Sequence, residues 1–204
     1  MNTWDLDLFW LINRDWTHPV LDWLMPTLSA IEVWLPFLVI LLAFIAWRGS
    51  RRERLMLLAL ALALGLSDAA IGNGLKKTFD RVRPRDEMSG VMIRDLAKVK
   101  PRMLALFKAP EIKLSKVKKV PETGNSLPSN HTINLFAAAT VIGLFFRRWA
   151  LPMYVLATAV AYSRVYVGAH WPSDIPPSAA LGLSIGWLVV LLLQKLSKPS
   201  VSEA

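Results

Sequence analysis

The chain reads as an all-α helix bundle set in a membrane, and three observations carry that expectation. Of its 204 residues 54% are hydrophobic, with a mean hydropathy of +0.39, above the usual apolar share of a soluble chain. The apolar residues gather in five stretches, near 28–47, 55–75, 131–146, 149–167 and 175–194. Each approaches the roughly 20 residues that a bilayer core requires. The cations collect mainly in the connections between those stretches. Helices are the expected form, because backbone in lipid must satisfy its own hydrogen bonds. The length suits one domain, 1–204.

Taken in order, residues 1–27 set Trp4, Trp10, Trp16 and Trp23 among acids and apolar residues. That composition suits a helix lying in the interface, with a sixth span as the alternative. Asp5 and Asp7 stand where a signal peptide carries Lys or Arg, so no cleaved signal is expected. Arg48, Arg51, Arg52 and Arg54 separate the first two spans, Arg147 and Arg148 separate the third and fourth, and Lys195 and Lys198 follow the fifth. Short-loop cations face the cytoplasm. The amino terminus and the loops 76–130 and 164–174 then face outward. The long loop holds 14 Lys and Arg between Lys76 and Lys119, against a simple charge tally. The short loops carry the orientation signal, and the long loop's cations are needed for chemistry. Its stretch 86–127 is expected to be a basic extracytoplasmic loop, broken at Pro101 and Pro110, that is solvated or touches lipid. Gly65, Gly72, Gly74, Ala137 to Ala139, Ala179, Ala180 and Gly182 are small enough to let helices approach closely.

Composition also excludes. Without cysteine there are no disulfides, thiolate metal sites or cysteine nucleophiles. The net charge of +9 comes with no nucleic-acid motif, which leaves anionic lipid as the fitting partner. Lipid head groups attract juxtamembrane Lys and Arg by roughly 1 kcal/mol each.

Three polar clusters interrupt this pattern. The first is Lys76, Arg83 and Pro84, where the second span leaves the membrane. Cations at helix ends commonly snorkel to the interface. An ammonium and a planar guanidinium also suit phosphate oxygens, and Pro84 would stop the helix and fix the following turn. The second cluster is Pro128, Ser129, Asn130 and His131, just before the third span. Ser129 is a natural cap, and a helix amino terminus offers unpaired N–H groups and a positive dipole end to an anion. His131 there is a proton donor. The third is Ser163, Arg164, His170 and Asp174. An arginine on an apolar helix needs a partner or a wet cavity. Asp174 suits an acidic cap on the last span, and its four-residue step from His170 permits carboxylate-to-imidazole contact that fixes a tautomer and frees the other nitrogen as a nucleophile. All three clusters fall at one membrane face. Asp68, at membrane depth in the second span, is expected to pair with a bundle cation or simply to pack, outside the site.

These residues resemble the type 2 phosphatidic acid phosphatase (PAP2) superfamily, whose signatures read Lys-x6-Arg-Pro, Pro-Ser-Gly-His and Ser-Arg-x5-His-x3-Asp. Ten of the eleven specified positions match, in order, across 76–174. The resemblance implies a bacterial inner-membrane lipid phosphatase, with its site facing the periplasm or cell exterior. It implies that His170 attacks phosphorus and becomes a phosphohistidine, that Asp174 orients it, and that His131 protonates the leaving group. Lys76, Arg83, Arg164, Ser129 and the Asn130 backbone would bind phosphate, with no metal or cofactor. The implied substrates are undecaprenyl diphosphate, lipid A 1-phosphate, phosphatidylglycerol phosphate and phosphatidic acid. A vanadium-haloperoxidase-like enzyme and a non-catalytic anion-binding or transport protein are the alternatives. Asn130 departs from the family's glycine; asparagine tolerates left-handed backbone next best, so the turn is expected to survive with added bulk beside the phosphate.

Overall fold

Helices that face lipid turn their bulky apolar side chains outward and their small or polar ones inward, and the computed structural model, which describes residues 3–70, 74–117 and 124–197, is organised this way. The chain opens with α1 (Thr3–Trp10), a π-helical turn (Leu11–Asp15) and α2 (Pro19–Ser29). The helices α3 (Ile31–Arg48) and α4 (Arg51–Ala70) follow, then two short helices, α5 (Lys76–Phe79) and α6 (Pro84–Glu87). A hairpin of β1 (Met92–Asp95) and β2 (Glu111–Leu114) encloses a 3-10 helix (Arg102–Phe107). The chain closes with α7 (Asn130–Phe145), α8 (Ala150–Tyr166) and α9 (Ile175–Ser197).

The five long helices lie on the five expected stretches. Two of them are long and apolar enough to cross a membrane, α3 and the segment Pro172–Leu196 that ends in α9. On α3 Val33 is buried, and eleven large apolar side chains from Ile31 to Trp47 are exposed. That surface exceeds the apolar patch a soluble monomer normally shows to water, and it suits hydrocarbon.

Helix α7 is the axis of the bundle, packed against α4, α8 and α9. Met56, Ala59 and Ala63 of α4 meet Ala137 and Val141 of α7 and Val189 and Val190 of α9. A Cβ on Gly182 would lie 2.4 Å from the Ile133 carbonyl oxygen, and one on Gly186 would lie 2.6 Å from that of Ala137. The α7–α9 approach therefore depends on both glycines. Gly182 is used as expected, whereas Gly65 and Gly74 have nothing within 4 Å and Gly72 lies outside the described residues.

A second core sits at the other end of the molecule. Phe9, Ile12 and Met25 of the amino-terminal segment pack with Val91 and with Val165 to Trp171 at the end of α8. The segment 1–27, expected to lie along an interface, folds in its described part as α1, the π turn and most of α2, wedged beneath the loop that carries His170. Asn13, fully buried, donates to the carbonyls of Met92 (3.0 Å) and Tyr166 (2.8 Å) and accepts from Met92 N–H (3.0 Å). Arg94 is also buried, with Nε 2.5 Å from Asp22 and Nη1 on the carbonyls of Asn13 and Tyr166. The stretch 86–127, expected as a loop, thus contains ordered structure. The alternating pattern Glu111-Ile-Lys-Leu suits a strand, Pro101 caps the 3-10 helix and Pro110 directly precedes β2. Residues 118–123 of that stretch lie outside the described residues.

Candidate active site

The first cluster is shaped by a turn. Helix α5 ends at Asp80, whose backbone is left-handed (φ 37°), and its carboxylate accepts from Gly124 N–H at 2.6 Å. A Cβ on Gly124 would fall 2.1 Å from the Asp80 carbonyl carbon, so glycine is what lets the segment 124–126 lie along 80–81. Pro84, expected to stop a helix, instead opens one: it is the first residue of α6, with Arg83 extended at its cap. A first-turn proline loses no hydrogen bond, which is why the position tolerates it. Lys76 is half-buried, and burial followed by the neighbouring Arg83 cation pulls its ammonium below the usual lysine range.

The second cluster lies where expected, at the amino end of α7. Ser129 is its cap residue and is fully buried, but its N–H donates to Ser178 Oγ (2.9 Å) and its hydroxyl accepts from Thr132 (3.0 Å). Ser129 is thereby held between α7 and α9. Asn130 is the first residue of α7, and Asp80 alone among the described non-glycine residues has positive φ. The left-handed turn expected at Asn130 is therefore absent, and the α7 start needs no glycine. His131 lies against the Ser29 carbonyl, within charge range of Arg164 and Arg83.

The third cluster follows α8. Gly168 (φ 74°) ends the helix, the N–H groups of Ala169 and His170 return to the Arg164 carbonyl at 3.0 and 3.2 Å, and Arg85 N–H reaches the Gly168 carbonyl at 3.2 Å. A Cβ on Gly168 would meet Val91 Cγ1 at 2.6 Å. Gly168→Ala is expected to lower stability by about 2 kcal/mol, from left-handed strain plus that clash, read as a fall in melting temperature of the detergent-solubilised protein. Ser163 meets Ser29 Oγ at 2.6 Å and ties α2 to α8.

These elements bring the expected residues together. Arg83 lies within charge range of Lys76, His131, Arg164 and His170. His170 is 2% exposed, and burial pushes its imidazole down to about 4, leaving it neutral. Arg164 Nε, Asn130 Oδ1 and His170 Nδ1 are buried with no hydrogen-bond partner among the described residues. Of these Arg164 Nε is the donor, since Asn130 Oδ1 accepts and His170 Nδ1 faces Asp174, and a buried guanidinium N–H left without a partner fits an incoming anion. Asp68 accepts from Asn134 of α7 at 3.3 Å and makes no salt bridge among the described residues.

The Asp174 contact is more elaborate than a pair. Its Oδ2 lies 3.6 Å from His170 Nδ1, longer than a hydrogen bond. Oδ2 already accepts from Ser126 Oγ (2.5 Å) and Trp171 N–H (2.9 Å), and Oδ1 accepts from Arg81 Nη1 at 2.6 Å. Arg81 reaches onward to Asp5 Oδ2 (2.5 Å), and Asp5 binds Ser173 through both N–H and hydroxyl. Arg81, Ser126 and Asp5 were not marked by sequence. Arg81 sits at an unspecified place inside Lys-x6-Arg-Pro, and Asp5 pairs with residues 76 and 168 positions away.

Fold and site together define a helical membrane enzyme that cleaves phosphate esters or diphosphates. Residues 54–198 match the PAP2 superfamily, and the chain belongs to it. Over 200 residues it is 28% identical to a lipid A 4'-phosphatase of Bacteroides thetaiotaomicron, covering 95% of this chain and 79% of that one. It is 40% identical over 76 residues to the bacitracin transport permease protein BcrC of Bacillus licheniformis, a match spanning 37% of each chain. The crystal structure of Aquifex aeolicus LpxE superposes with a TM-score of 0.63 at 25% identity, covering 93% of this chain and 96% of that one.

Proposed function

We propose that the chain dephosphorylates a phosphorylated envelope lipid through a phosphohistidine on His170. The observation that carries this is the convergence of Arg83 and Arg164 with His170 and with His131 at the α7 amino terminus, with Lys76 beside Arg83. These cations repel one another, and a phosphate dianion relieves that repulsion while it is positioned for attack. His170 presents the ring nitrogen remote from Asp174, forms a bond to phosphorus, and the phosphorus–oxygen bond to the lipid breaks. His131 gives its proton to the leaving oxygen. Water then gives a proton to His131 and attacks phosphorus, the phosphorus–nitrogen bond breaks, and inorganic phosphate leaves with His170 free and His131 reprotonated. Asp174, fixed by three donors, faces the imidazole as it becomes cationic.

The substrate is drawn from the envelope lipids, and the relative matched along nearly the whole chain acts on lipid A. We place the protein in the bacterial inner membrane as five spans with the site outward. In support, Arg52 reaches the Phe145 carbonyl and Arg148 lies near Glu53, which gathers two cation clusters at the end of the bundle away from His170. The test is phosphate release by purified protein from lipid A, undecaprenyl diphosphate, phosphatidylglycerol phosphate and phosphatidic acid. Because three cations supply the charge that a metal would otherwise supply, activity is expected to persist in excess EDTA, and orthovanadate, which mimics the transition state, is expected to inhibit. Loss of activity on chelation, restored by a divalent cation, would count against this site.

A further inference from the structure

Arg164 faces two places. One is the cluster around His170, and the other is a cavity of about 290 Å³ between the turn joining α2 to α3 and the segment that follows β1. The volume is at the low end of small-molecule pockets, enough for part of a head group. Besides Arg164 its wall carries Arg85, Lys98 and Arg102, opposite Glu32 and Asp95. Arg94 also lines it, but its charge is matched by Asp22. Among the described residues Arg85, Lys98 and Arg102 make no salt bridge, although Glu111, itself bridged to Lys113, lies within charge range of Lys98. Position is set by backbone: Arg85 N–H is held on Gly168, next to the His170 loop, and Arg102 is anchored on the Ala97 carbonyl at 2.8 Å. The proposed function places the scissile phosphate on the near side of Arg164. It leaves the cations on the far side without a role.

We propose that this cavity is a second anion subsite, which receives a further anionic group carried by the same lipid head group whose scissile phosphate lies at His170. The inference rests on the phosphatase function proposed above. Arg85, Lys98 and Arg102 take the second group's oxygens, and Glu32 and Asp95 accept from hydroxyls of the linking moiety. Helix α3, whose exposed face is apolar, begins beside the cavity and places Glu32 in its wall. The head group enters from that side, and the preferred substrate class is a lipid bearing two phosphates rather than one.

The test compares a bis-phosphorylated glucosamine-disaccharide lipid with phosphatidic acid in neutral detergent, with the parent protein, Lys98→Ala/Arg102→Ala and Arg102→Lys. The expected result is that the double variant's kcat/KM for the bis-phosphorylated lipid, relative to phosphatidic acid, falls at least about tenfold through KM, while Arg102→Lys keeps most of the parent ratio. The ratio cancels any general loss of folded protein. An unchanged ratio would overturn the subsite and leave the phosphatase function standing. A fall seen only when phosphatidylglycerol is added would also overturn it, since the cavity would then be serving a neighbouring anionic lipid. If the parent hydrolyses neither lipid but does hydrolyse undecaprenyl diphosphate or phosphatidylglycerol phosphate, this inference falls alone; if it hydrolyses none of the four, the phosphatase function fails with it.

Discussion

His170→Ala is expected to reduce phosphate release by about 10³-fold or more, because removal of a covalent nucleophile disables the whole unit it belongs to. The folded state should survive, since the ring's Nδ1 makes no hydrogen bond that its loss would break. The parent enzyme should trap a base-stable, acid-labile phosphoryl group after rapid quench with labelled lipid, and the variant should not. Variant and parent hydrolysing at equal rates would sink the proposed mechanism. The pH profile adds a second check. Burial holds the His170 imidazole at about 4, below its ordinary 6.5, so the nucleophile is neutral across the physiological range and is lost as pH falls through that lower value. If His170 sets the acid limb of kcat/KM, that limb should lie well below 6.

Arg81→Ala is expected to lower kcat by about 10²-fold with little change in KM. The guanidinium is a positioning group: it holds Oδ1 of Asp174 and leaves Oδ2 facing the His170 ring. Without it Asp5 and Asp174, both buried, lose the cation they share. An uncompensated carboxylate then turns away or takes a proton, and in either case it no longer stabilises the imidazolium. Arg81 is about a quarter exposed, so water moderates the cost to stability. A structural role alone would lower the amount of folded enzyme and leave kcat per folded molecule intact. The decisive readout is therefore kcat normalised to active sites, with Arg81→Lys expected to recover part of it through one retained hydrogen bond. Unchanged normalised kcat in the alanine variant would reject the positioning role.

How far the sequence disclosed this molecule follows from the range of each signal. Long apolar runs and capping residues are local, so the five long helices fell close to their expected bounds and α7 began at Asn130. Lys76, Arg83, His131, Arg164, His170 and Asp174 were legible as candidates because each falls at a specified place in the three short family signatures. The hairpin was harder to see. Its strands have only four residues each, too few for periodicity to separate from a basic loop. Pro84 was read correctly as a turn point and wrongly as a helix end, because a proline can end one helix or begin another and only its neighbours decide; at Asn130 the expected left-handed turn is absent, the residue being the first of α7. Arg81, Ser126 and Asp5 left no local trace. Their partners arrive from distant parts of the chain, and ionic pairing across such separations has no sequence period.

The tie from Asp5 through Arg81 to Asp174 has a bearing on biosynthesis. Asp5 and its partner Ser173 are 168 residues apart. At a translation rate of about 5–20 residues per second, Asp5 leaves the ribosome roughly 10–30 s before Ser173 does. The tie from Asp5 to Ser173 must therefore wait while α3, α4, α7 and α8 are made, and it closes only when the last turn before α9 emerges. The nucleophile's setting is thus completed only after α8 and the loop that follows it have been made, and a nascent chain stalled before that loop carries His131 and cations but no assembled centre.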